Sequence, residues 1–376
     1  MQARPPVRVA FLVVVALHAT IHLLGFVKGF GLAPVEALKL PIGRVAGALW
    51  LVATLALVAT VVLAALRWEG WWWVALGSLL LSQALVVAAW SDAKAGTIAN
   101  VILALGALAA LATSRFEAEG RDRLDALLAS APSSEGAVVT DAEVDATPPA
   151  VRRWLRRAGV VGKPRPRVVR LRQRGQMQNE PGAGFRDVRA DQLFVPDEAA
   201  FLWRVRLSMF GLPVVGRDTF VGGHGRMRIV VAGLVPVADA ADPKIDEGAM
   251  LRYLGETVWF PSAALDPRIT WSPGEDPQRA ARATIRVGEL EAEAELDFDD
   301  EGRFLALRAD RYRGGGPDAE RAPWRVNARA WRRFEGVEVP SEGDVVWVLP
   351  EGDFVFYRWT IETLETDVRE RLPDLR

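Results

Sequence analysis

Two pairs of polar side chains in this 376-residue sequence stand four residues apart, the spacing that puts both members on one face of an α-helix. His18 and His22 lie in an almost wholly apolar stretch, HATIHLLGF. Arg252 and Glu256 lie within residues 244–261, where opposite charges at this spacing attract each other. Imidazoles in an apolar segment can bind a proton, a metal ion or a haem-like cofactor. An Arg–Glu pair can orient a ligand or simply fix a helix.

No catalytic signature accompanies either pair. The sequence contains no GxSxG elbow, no HExxH and no Walker A loop. The absence of cysteine excludes disulfides, thiolate catalysis and Cys-ligated zinc. His224, the one histidine outside the apolar stretch, lies in GGHG, where a turn is the simpler interpretation. The sequence therefore identifies no catalytic residue and no cofactor, and it leaves both enzyme activity and metal binding open.

Four apolar runs make up the first third of the chain and must position the histidines. They cover residues 9–31, 45–66, 71–90 and 97–113, each close to the roughly 20 residues that a membrane-spanning helix needs. A secretory signal peptide would have only one such run. Tryptophans mostly stand at the ends of the runs, as in an aromatic belt: Trp50, Trp68, Trp71, Trp72, Trp73 and Trp90. The sequence predicts a four-span domain, residues 1–113, in the cytoplasmic membrane.

Polar residues within or between these spans are functional candidates, because burying them in lipid is costly. Alternating span direction places His22, Gln83 and Asn100 in the same half of the bilayer, and Asp92 and Lys94 in the loop that caps that end. One interpretation is a transmembrane proton or metal-ion site. The other is a set of hydrogen bonds that hold the helices together. Haem is disfavoured, since the other three runs contain no histidine.

The charge distribution predicts the side of the membrane. Four spans place the N-terminus and everything after residue 113 on one side, which carries six arginines near the spans, against three or four basic residues on the other. The positive-inside rule then places the soluble domain in the cytoplasm. The six are Arg4, Arg8, Arg67, Arg115, Arg121 and Arg123. The net charge of −1 gives no support for a nucleic-acid partner.

Residues 114–150 are predicted to connect two domains. The first part, 114–128, is charged with spaced leucines and indicates a short helix, and 129–150 has the Ser, Pro and Asp content of a flexible linker. A basic helix around Trp154 follows. Its charges, and those just after it, can lie against anionic lipid headgroups or simply be solvated. They are Arg152, Arg153, Arg156, Arg157, Lys163, Arg165 and Arg167.

The third predicted domain, residues 151–376, is mainly β-sheet. Alternation with a period of two dominates from residue 167 onward, and turns such as DDEG separate the runs. So many short strands predict one antiparallel sheet that curls to protect its edges. Residues 244–261 are the helical exception, bounded by Pro243 and Pro261. The predicted fold is a four-helix transmembrane bundle plus an α+β half-barrel with a helix on its concave face.

That helix carries the candidate ligand-binding residues of the soluble domain. Arg252, Tyr253, Glu256 and Trp259 would bring a few polar groups into an apolar concavity, the usual composition of a small-molecule site. The alternative is that Arg252 and Glu256 form an ion pair that fixes the helix, with Tyr253 and Trp259 in the core.

Five stretches of the sequence together resemble a family of uncharacterised bacterial polytopic membrane proteins. They are HATIHLLGFVKGFGL, WSDAKAGTIAN, LRYLGETVWFPSAAL, DEGRFLALRADRYR and DFVFYRWTIETLE, with the motifs HxxxHLLGF, WxDAKxGT and RYLxExxxxP. The resemblance covers most of the chain and implies no activity. A curved sheet with a helix in its concavity is also similar to the LolA-type lipoprotein carriers and related lipid-binding half-barrels. Those carriers act outside the cytoplasm, opposite to the side that the arginines predict.

Two functions follow as expectations. The first is a membrane-anchored protein whose β domain binds a hydrophobic ligand or a lipid, an expectation to which the half-barrel likeness contributes. The second is a transmembrane proton or metal-ion site at His18 and His22, with the β domain as a sensor or cap. Membrane lipids are the expected partners, and protein partners are left open.

Overall fold

The computed structural model describes residues 6–370 and residue 375, so Arg4 of the charge count lies outside the described residues. The chain forms two compact units. The first comprises Met1–Ala118 with the short segments Met209–Pro213 and Val231–Val235, and the second comprises the remainder. The division into 1–113, 114–150 and 151–376 as separate domains stays a prediction.

Four helices of the described chain are long and apolar enough to cross a membrane, as predicted. They are α1 (Pro6–Gly29), α2 (Arg44–Ala65), α3 (Trp71–Ala88) and α5 (Gly96–Ser130), and the short α4 (Trp90–Ala93) precedes the last of them. Small residues bring α1 and α2 together, since a Cβ on Gly29 would lie 2.7 Å from the Cα of Gly47. Close backbone approach of this kind is typical of helix packing in lipid. The side of the membrane on which the rest of the chain lies stays a prediction.

Helix α5 is one continuous helix from the fourth apolar run through the charged residues 114–128. In the second unit, Leu124 and Leu127 of this helix pack with Leu193 and Leu202 of the sheet. The charged segment therefore continues the helix of the fourth apolar run and is not a separate short helix, because the helix is unbroken from residue 96 to residue 130.

The segment 129–150, expected to be flexible, is largely packed. Thr140 and Glu143 form a capping box that begins α6 (Asp141–Asp145), and Val144 of this helix is fully buried. The backbone N–H of Val139 donates to the carbonyl of Lys163 at 2.9 Å. Composition indicated a linker, but the capping box is a helix-start signal that residues 140–143 carry.

Helix α7 (Pro149–Ala158) buries Trp154 and Leu155 in the main core. Several of its basic residues have acidic partners within the protein: Arg156 pairs with Asp145 at 2.9 Å and Arg157 with Glu338 at 2.8 Å. Farther on, Arg165 pairs with Glu143 at 2.7 Å. These contacts favour a structural role for the basic segment over lipid binding.

The second unit is built on one antiparallel sheet that curls into a half-barrel, as predicted. Its order is β6-β5-β4-β3-β2-β1-β13-β12-β11-β10-β9-β8-β7 in the described residues. The strands are β1 (Val169–Met177), β2 (Arg186–Val195), β3 (Ala200–Met209), β4 (Leu212–Val221), β5 (His224–Val231), β6 (Val235–Ala240), β7 (Ile269–Pro273), β8 (Ala280–Val287), β9 (Leu290–Phe298), β10 (Phe304–Tyr312), β11 (Arg321–Phe334), β12 (Val337–Leu349) and β13 (Gly352–Thr366). Strands β1 and β13 pair with each other, so the first and last strands lie side by side at the middle of the sheet.

The strand predictions fail where turn-forming residues lie inside a strand. Alternation predicts a strand only from Val345, whereas β12 begins at Val337 and includes Pro340 and Gly343. Pairing with β11 and β13 supplies the hydrogen bonds that keep this stretch extended. Strand β6, at the edge of the sheet, also lacks clear alternation, because Pro236 and the Ala-Asp repeats weaken its pattern.

The predicted central helix is α8 (Pro243–Glu256), followed by short 3₁₀ helices at Thr257–Trp259 and Pro261–Leu265. It packs against β8, β9 and β10 on one side. Its Arg252 also reaches Asp218 of β4, in the other half of the sheet. The helix therefore lies within the curl of the sheet, between two of its walls, and its buried residues Met250, Leu251 and Leu254 belong to the main core.

Candidate functional site

Helix α8 begins at a strong cap. The side chain of Asp242 accepts hydrogen bonds from the backbone N–H groups of Lys244 (2.9 Å) and Ile245 (3.2 Å), and Pro243 occupies the first helical position. Its second carboxylate oxygen accepts the N–H of Gly316 at 2.8 Å. These hydrogen bonds hold the pKa of the Asp242 carboxyl below its usual range, although partial burial opposes the shift. Asp242 thus fixes both the helix and the glycine-rich loop 314–317.

Arg252 is the centre of a buried polar cluster. Its guanidinium donates to Glu256 at 2.8 Å, to Asp218 at 2.6 Å and to the amide oxygen of Gln192 at 3.4 Å. The amide nitrogen of Gln192 donates in turn to the second oxygen of Glu256 at 2.6 Å. Every member of this ring therefore has a partner within it.

Aromatic rings enclose the same guanidinium. The rings of Phe201 and Trp203 both have centroids 4.9 Å from the guanidinium carbon of Arg252. Burial by itself would lower the pKa of Arg252, but the charges of Glu256 and Asp218 outweigh it and raise that pKa. Burial raises the pKa of Glu256, while Arg252 and Gln192 oppose the rise. With both carboxylate oxygens occupied, Glu256 is placed to stabilise the helix rather than to accept a proton from a substrate.

Tyr253 and Trp259, the other two candidates on this helix, lie in the core. The ring of Tyr253 packs 6.1 Å from Phe260, and burial raises the pKa of its hydroxyl. Trp259 meets Trp359 edge to face at 5.4 Å. Their ligand-binding role stays a prediction, and their positions are those of packing residues.

Arg311 of β10 contacts α8 at Gly248, one helical turn before Arg252, and has a different environment. Its Nε donates to the backbone carbonyl of Gly248 at 3.1 Å, and its guanidinium lies 5.0 Å from the ring centroid of Trp324. Among residues 6–370 and 375 it forms no ion pair with a carboxylate within 4 Å. Burial lowers the pKa of Arg311 to about 10, which leaves it charged at neutral pH. This half-buried cation retains N–H donors that no acidic side chain takes up.

The sequence carries a signal for Arg311 that no catalytic motif contains. In β10, Leu307 is fully buried and Ala309 packs against the core, so alternation puts residue 311 on the same face. A charged residue on the inner face of a strand is an exception to the pattern.

Three buried indole N–H groups add to the unpaired donors. The Nε1 atoms of Trp203, Trp259 and Trp324 have no hydrogen-bond acceptor in the described chain. A buried donor left without an acceptor costs on the order of 1–3 kcal/mol. Trp203 and Trp324 are the same residues whose rings lie over Arg252 and Arg311. These three indoles therefore offer hydrogen-bond donors to a further group.

A second polar cluster lies among the spans. The Nε2 of His18 lies 3.0 Å from the amide oxygen of Asn100 and 3.1 Å from the hydroxyl of Ser82. Asn100 donates to the amide oxygen of Gln83 at 2.9 Å, and Gln83 donates to Thr97 at 3.3 Å. His18, Gln83 and Asn100 are thus brought together as candidates, and Ser82 joins them although the sequence analysis did not name it.

His22 extends this cluster toward α2. Its Nδ1 lies 3.1 Å from the carbonyl oxygen of His18, and its ring lies 4.9 Å from that of Trp50. Its Nε2 is buried without a hydrogen-bond partner in the part of the chain that is described. Within residues 6–370 and 375, no three His, Asp or Glu side chains are grouped so that they could hold a metal ion.

Asp92 and Lys94 have separate positions in the loop between the third and fourth spans. Asp92 accepts the backbone N–H groups of Lys39 (2.6 Å) and Leu40 (2.7 Å), and these bonds lower the pKa of its carboxyl. Asp92 therefore joins two loops at one end of the bundle. Lys94 is exposed.

These features define a class of protein: four helices long and apolar enough to span a membrane, joined to a half-barrel whose concave face holds a helix. Residues 137–359 match the family of unknown function DUF6544, and the chain belongs to that family. A search of the curated proteins found no match.

Among solved structures, the chain is similar to a domain from Vibrio parahaemolyticus named for outer membrane lipoprotein sorting. The two share 7% identity at a TM-score of 0.32, over 53% of this chain and 85% of that one. A DUF1329 family protein from Desulfovibrio piger shares 10% identity at a TM-score of 0.29, over 62% of this chain and 95% of that one. At these scores neither structure indicates what this chain binds.

Proposed function

We propose that the half-barrel binds an amphipathic ligand with an anionic group, of the lipid or fatty-acid class, beside helix α8. The observation that carries this proposal is Arg311, a half-buried guanidinium on the inner face of β10 with no carboxylate within 4 Å in the described chain. An anion with an apolar body suits this position, since the guanidinium lies against Trp324 and its neighbours belong to an apolar core.

The contrast with the rest of the same strand supports the choice of residue. Arg308, three positions earlier on β10, donates to Asp297 at 2.8 Å and to Glu295 at 3.1 Å, and it is exposed. The outer-face arginine is thus neutralised by its neighbours, and the inner-face arginine is not. Binding, rather than catalysis, follows from Glu256, whose two carboxylate oxygens both accept hydrogen bonds within the Arg252 cluster.

The test measures binding of cis-parinaric acid, a fluorescent fatty acid, and of its uncharged methyl ester to the full-length protein in detergent. Arg311→Gln should weaken binding of the acid by about tenfold, the value of one charge-assisted hydrogen bond of roughly 1.5 kcal/mol, and leave the ester unchanged. Arg308→Gln, which removes the same charge from the other face of the same strand, serves as the matched control.

Three outcomes would contradict the proposal. They are no saturable binding of either probe, equal loss with Arg308→Gln and Arg311→Gln, or equal loss of the acid and the ester with Arg311→Gln. Native mass spectrometry of the purified wild-type protein provides an independent measurement, because a co-purified anionic lipid should be lost from the Arg311→Gln protein and kept by the Arg308→Gln protein.

A second candidate function rests on the polar cluster of the spans. We infer a proton site at His18 and His22, supported by the chain of hydrogen bonds from His18 through Asn100 and Gln83 and by the partnerless Nε2 of His22. The alternative is that these hydrogen bonds only hold the helices together.

The test of the proton site measures proton flux in proteoliposomes with a trapped pH-sensitive dye. The His18→Ala/His22→Ala protein should lose the proton flux of the wild type. Thr60→Val, which removes a hydrogen bond to Ser78 elsewhere in the bundle, is the control. Unchanged flux and metal content in the double variant would exclude this function.

A further inference from the structure

Two tight turns of the half-barrel sheet have an unusual composition. The β3–β4 turn with its flanks reads MFGLP (209–213), and the β5–β6 turn reads VAGLV (231–235), ten residues without one polar side chain. Their large side chains are exposed: Phe210 by 81%, Leu234 by 51% and Val235 by 60%. Apolar side chains exposed in clusters usually mark an interaction surface.

The backbone makes this composition more informative. Phe210 (φ 51°) and Ala232 (φ 52°) both have left-handed φ, and each is followed by a glycine that also has positive φ. This pattern is that of a type I′ hairpin turn, where Asn or Asp is the preferred first residue and a bulky apolar side chain is strained. The turn between β11 and β12 has the same backbone with Glu335 (φ 49°) in that position. That exposed turn thus has a polar residue at this position, and these two turns have apolar ones.

The position of the β5–β6 turn indicates what surrounds it. A Cβ on Gly233 would lie 2.2 Å from the backbone nitrogen of Thr113 and 2.5 Å from the carbonyl carbon of Ala112. Residue 113 is where the apolar sequence of the fourth span ends and Ser114-Arg115 begins. The turn therefore lies against the last apolar turn of a membrane-spanning helix, at the depth where hydrocarbon gives way to headgroups.

The β3–β4 turn shares this location. The N–H of Ala232 donates to the carbonyl of Pro213 at 2.7 Å, which joins the two turns directly. Both segments, Met209–Pro213 and Val231–Val235, belong to the compact unit that contains the four spans. The two apolar tips and the end of the span thus form one local surface.

We propose that the two hairpin tips, residues 209–213 and 231–235, insert their apolar side chains into the bilayer beside the end of the fourth span. The occupant of this surface is lipid, because the turn is in contact with the residue at which the span leaves the hydrocarbon and because the tips carry no charge that headgroups or water would solvate. Interfacial segments of other proteins hold Phe and Leu at this depth in the same way.

The test uses the absence of native cysteine, which lets a single introduced thiol carry the only label. Phe210→Cys and Leu234→Cys are each labelled with a nitroxide in the full-length protein in phosphatidylcholine–phosphatidylglycerol vesicles. Collision rates are then measured with oxygen, which concentrates in lipid, and with a water-soluble nickel chelate. Glu289→Cys is the control: Glu289 is exposed in the β8–β9 turn, near the β4–β5 turn that lies at the other end of strand β4.

Labels at 210 and 234 should collide more with oxygen than with nickel, and the label at 289 should show the reverse. Two outcomes would overturn the proposal. Nickel collision at 210 and 234 equal to that at 289 would place the tips in water. Protection from both reagents would place them against protein, either another molecule or a second copy of this chain. The two labelling positions act independently, so loss of folding in one variant leaves the other as the test.

Discussion

Two arginines lie beside the same helix in the half-barrel and differ in their hydrogen-bond partners. Arg252 is held by Glu256, Asp218 and Gln192 between two aromatic rings, and the group of four satisfies its own hydrogen bonds. Arg311 has one backbone carbonyl and one aromatic ring. The difference assigns different roles to the two arginines. The cluster around Arg252 stabilises the position of α8, and Arg311 is available to a ligand.

Removing Arg252 should have the largest effect on stability. Arg252→Met leaves Glu256 and Asp218 as buried, unpaired carboxylates, which typically costs 3–5 kcal/mol, so we expect a loss of about that size. Urea unfolding of the full-length protein in detergent, followed by tryptophan fluorescence, measures it. Arg252→Met/Glu256→Met should recover part of the loss, since it removes one of the orphaned charges. A single variant as stable as the wild type would contradict the view that this cluster stabilises the helix.

Removing Arg311 should leave stability nearly unchanged and impair binding. Arg311→Met takes away a half-buried cation without orphaning an acidic group, so the free energy of unfolding should change by less than about 1 kcal/mol. Affinity for cis-parinaric acid should fall by about tenfold in the same preparation. A large destabilisation with unaltered affinity would reverse the roles that the comparison assigns to the two arginines.

Replacing Asp242 tests how much the N-terminal cap of α8, the helix beside both arginines, contributes to stability. Asp242→Ala removes an N-cap, which typically costs about 1 kcal/mol, and also the contact with Gly316. Since the pKa of Asp242 is lowered in the folded protein, its contribution is present above the unfolded pKa of about 3.9 and is lost as the pH falls through the lower folded value. The urea midpoint at pH 7 should therefore differ between the wild type and Asp242→Ala, and this difference should shrink below pH 4. A difference independent of pH would assign the effect to helix propensity.

The smallest expected effect comes from Trp324. Trp324→Phe deletes an indole N–H that has no acceptor in the described chain and keeps an aromatic ring near Arg311. The stability should change by a few tenths of a kcal/mol, because removing an unsatisfied donor offsets the lost volume. If the ligand accepts a hydrogen bond from this donor, the affinity for the fatty-acid probe falls as well. Thermal unfolding and probe titration on the same sample separate the two effects.

Some of this architecture followed from local patterns alone. The apolar runs identify the four spans, and period-two alternation with turn residues identifies most strands. The helix 244–261 is marked by its spacing and its prolines. Arg252 and Glu256 form the expected ion pair, because helical geometry alone brings side chains four residues apart into contact.

Other features depend on partners distant in sequence. Strand β12 is extended through Pro340 and Gly343 because β11 and β13 supply its hydrogen bonds. The segment 129–150 has the composition of a linker, yet Val144 is buried because the rest of the core covers it. Ser82 joins His18 only when α1 and α3 pack together.

The sequence by itself determined where apolar segments occur, how they alternate and which residues share a helix face, because these depend on covalent order and local geometry. Only the tertiary structure decided that Asp218 and Gln192 close around Arg252 while Arg311 meets no carboxylate. Charge pairing depends on distance in space, and the chain brings residues 192, 218 and 252 together only by curling the sheet around the helix.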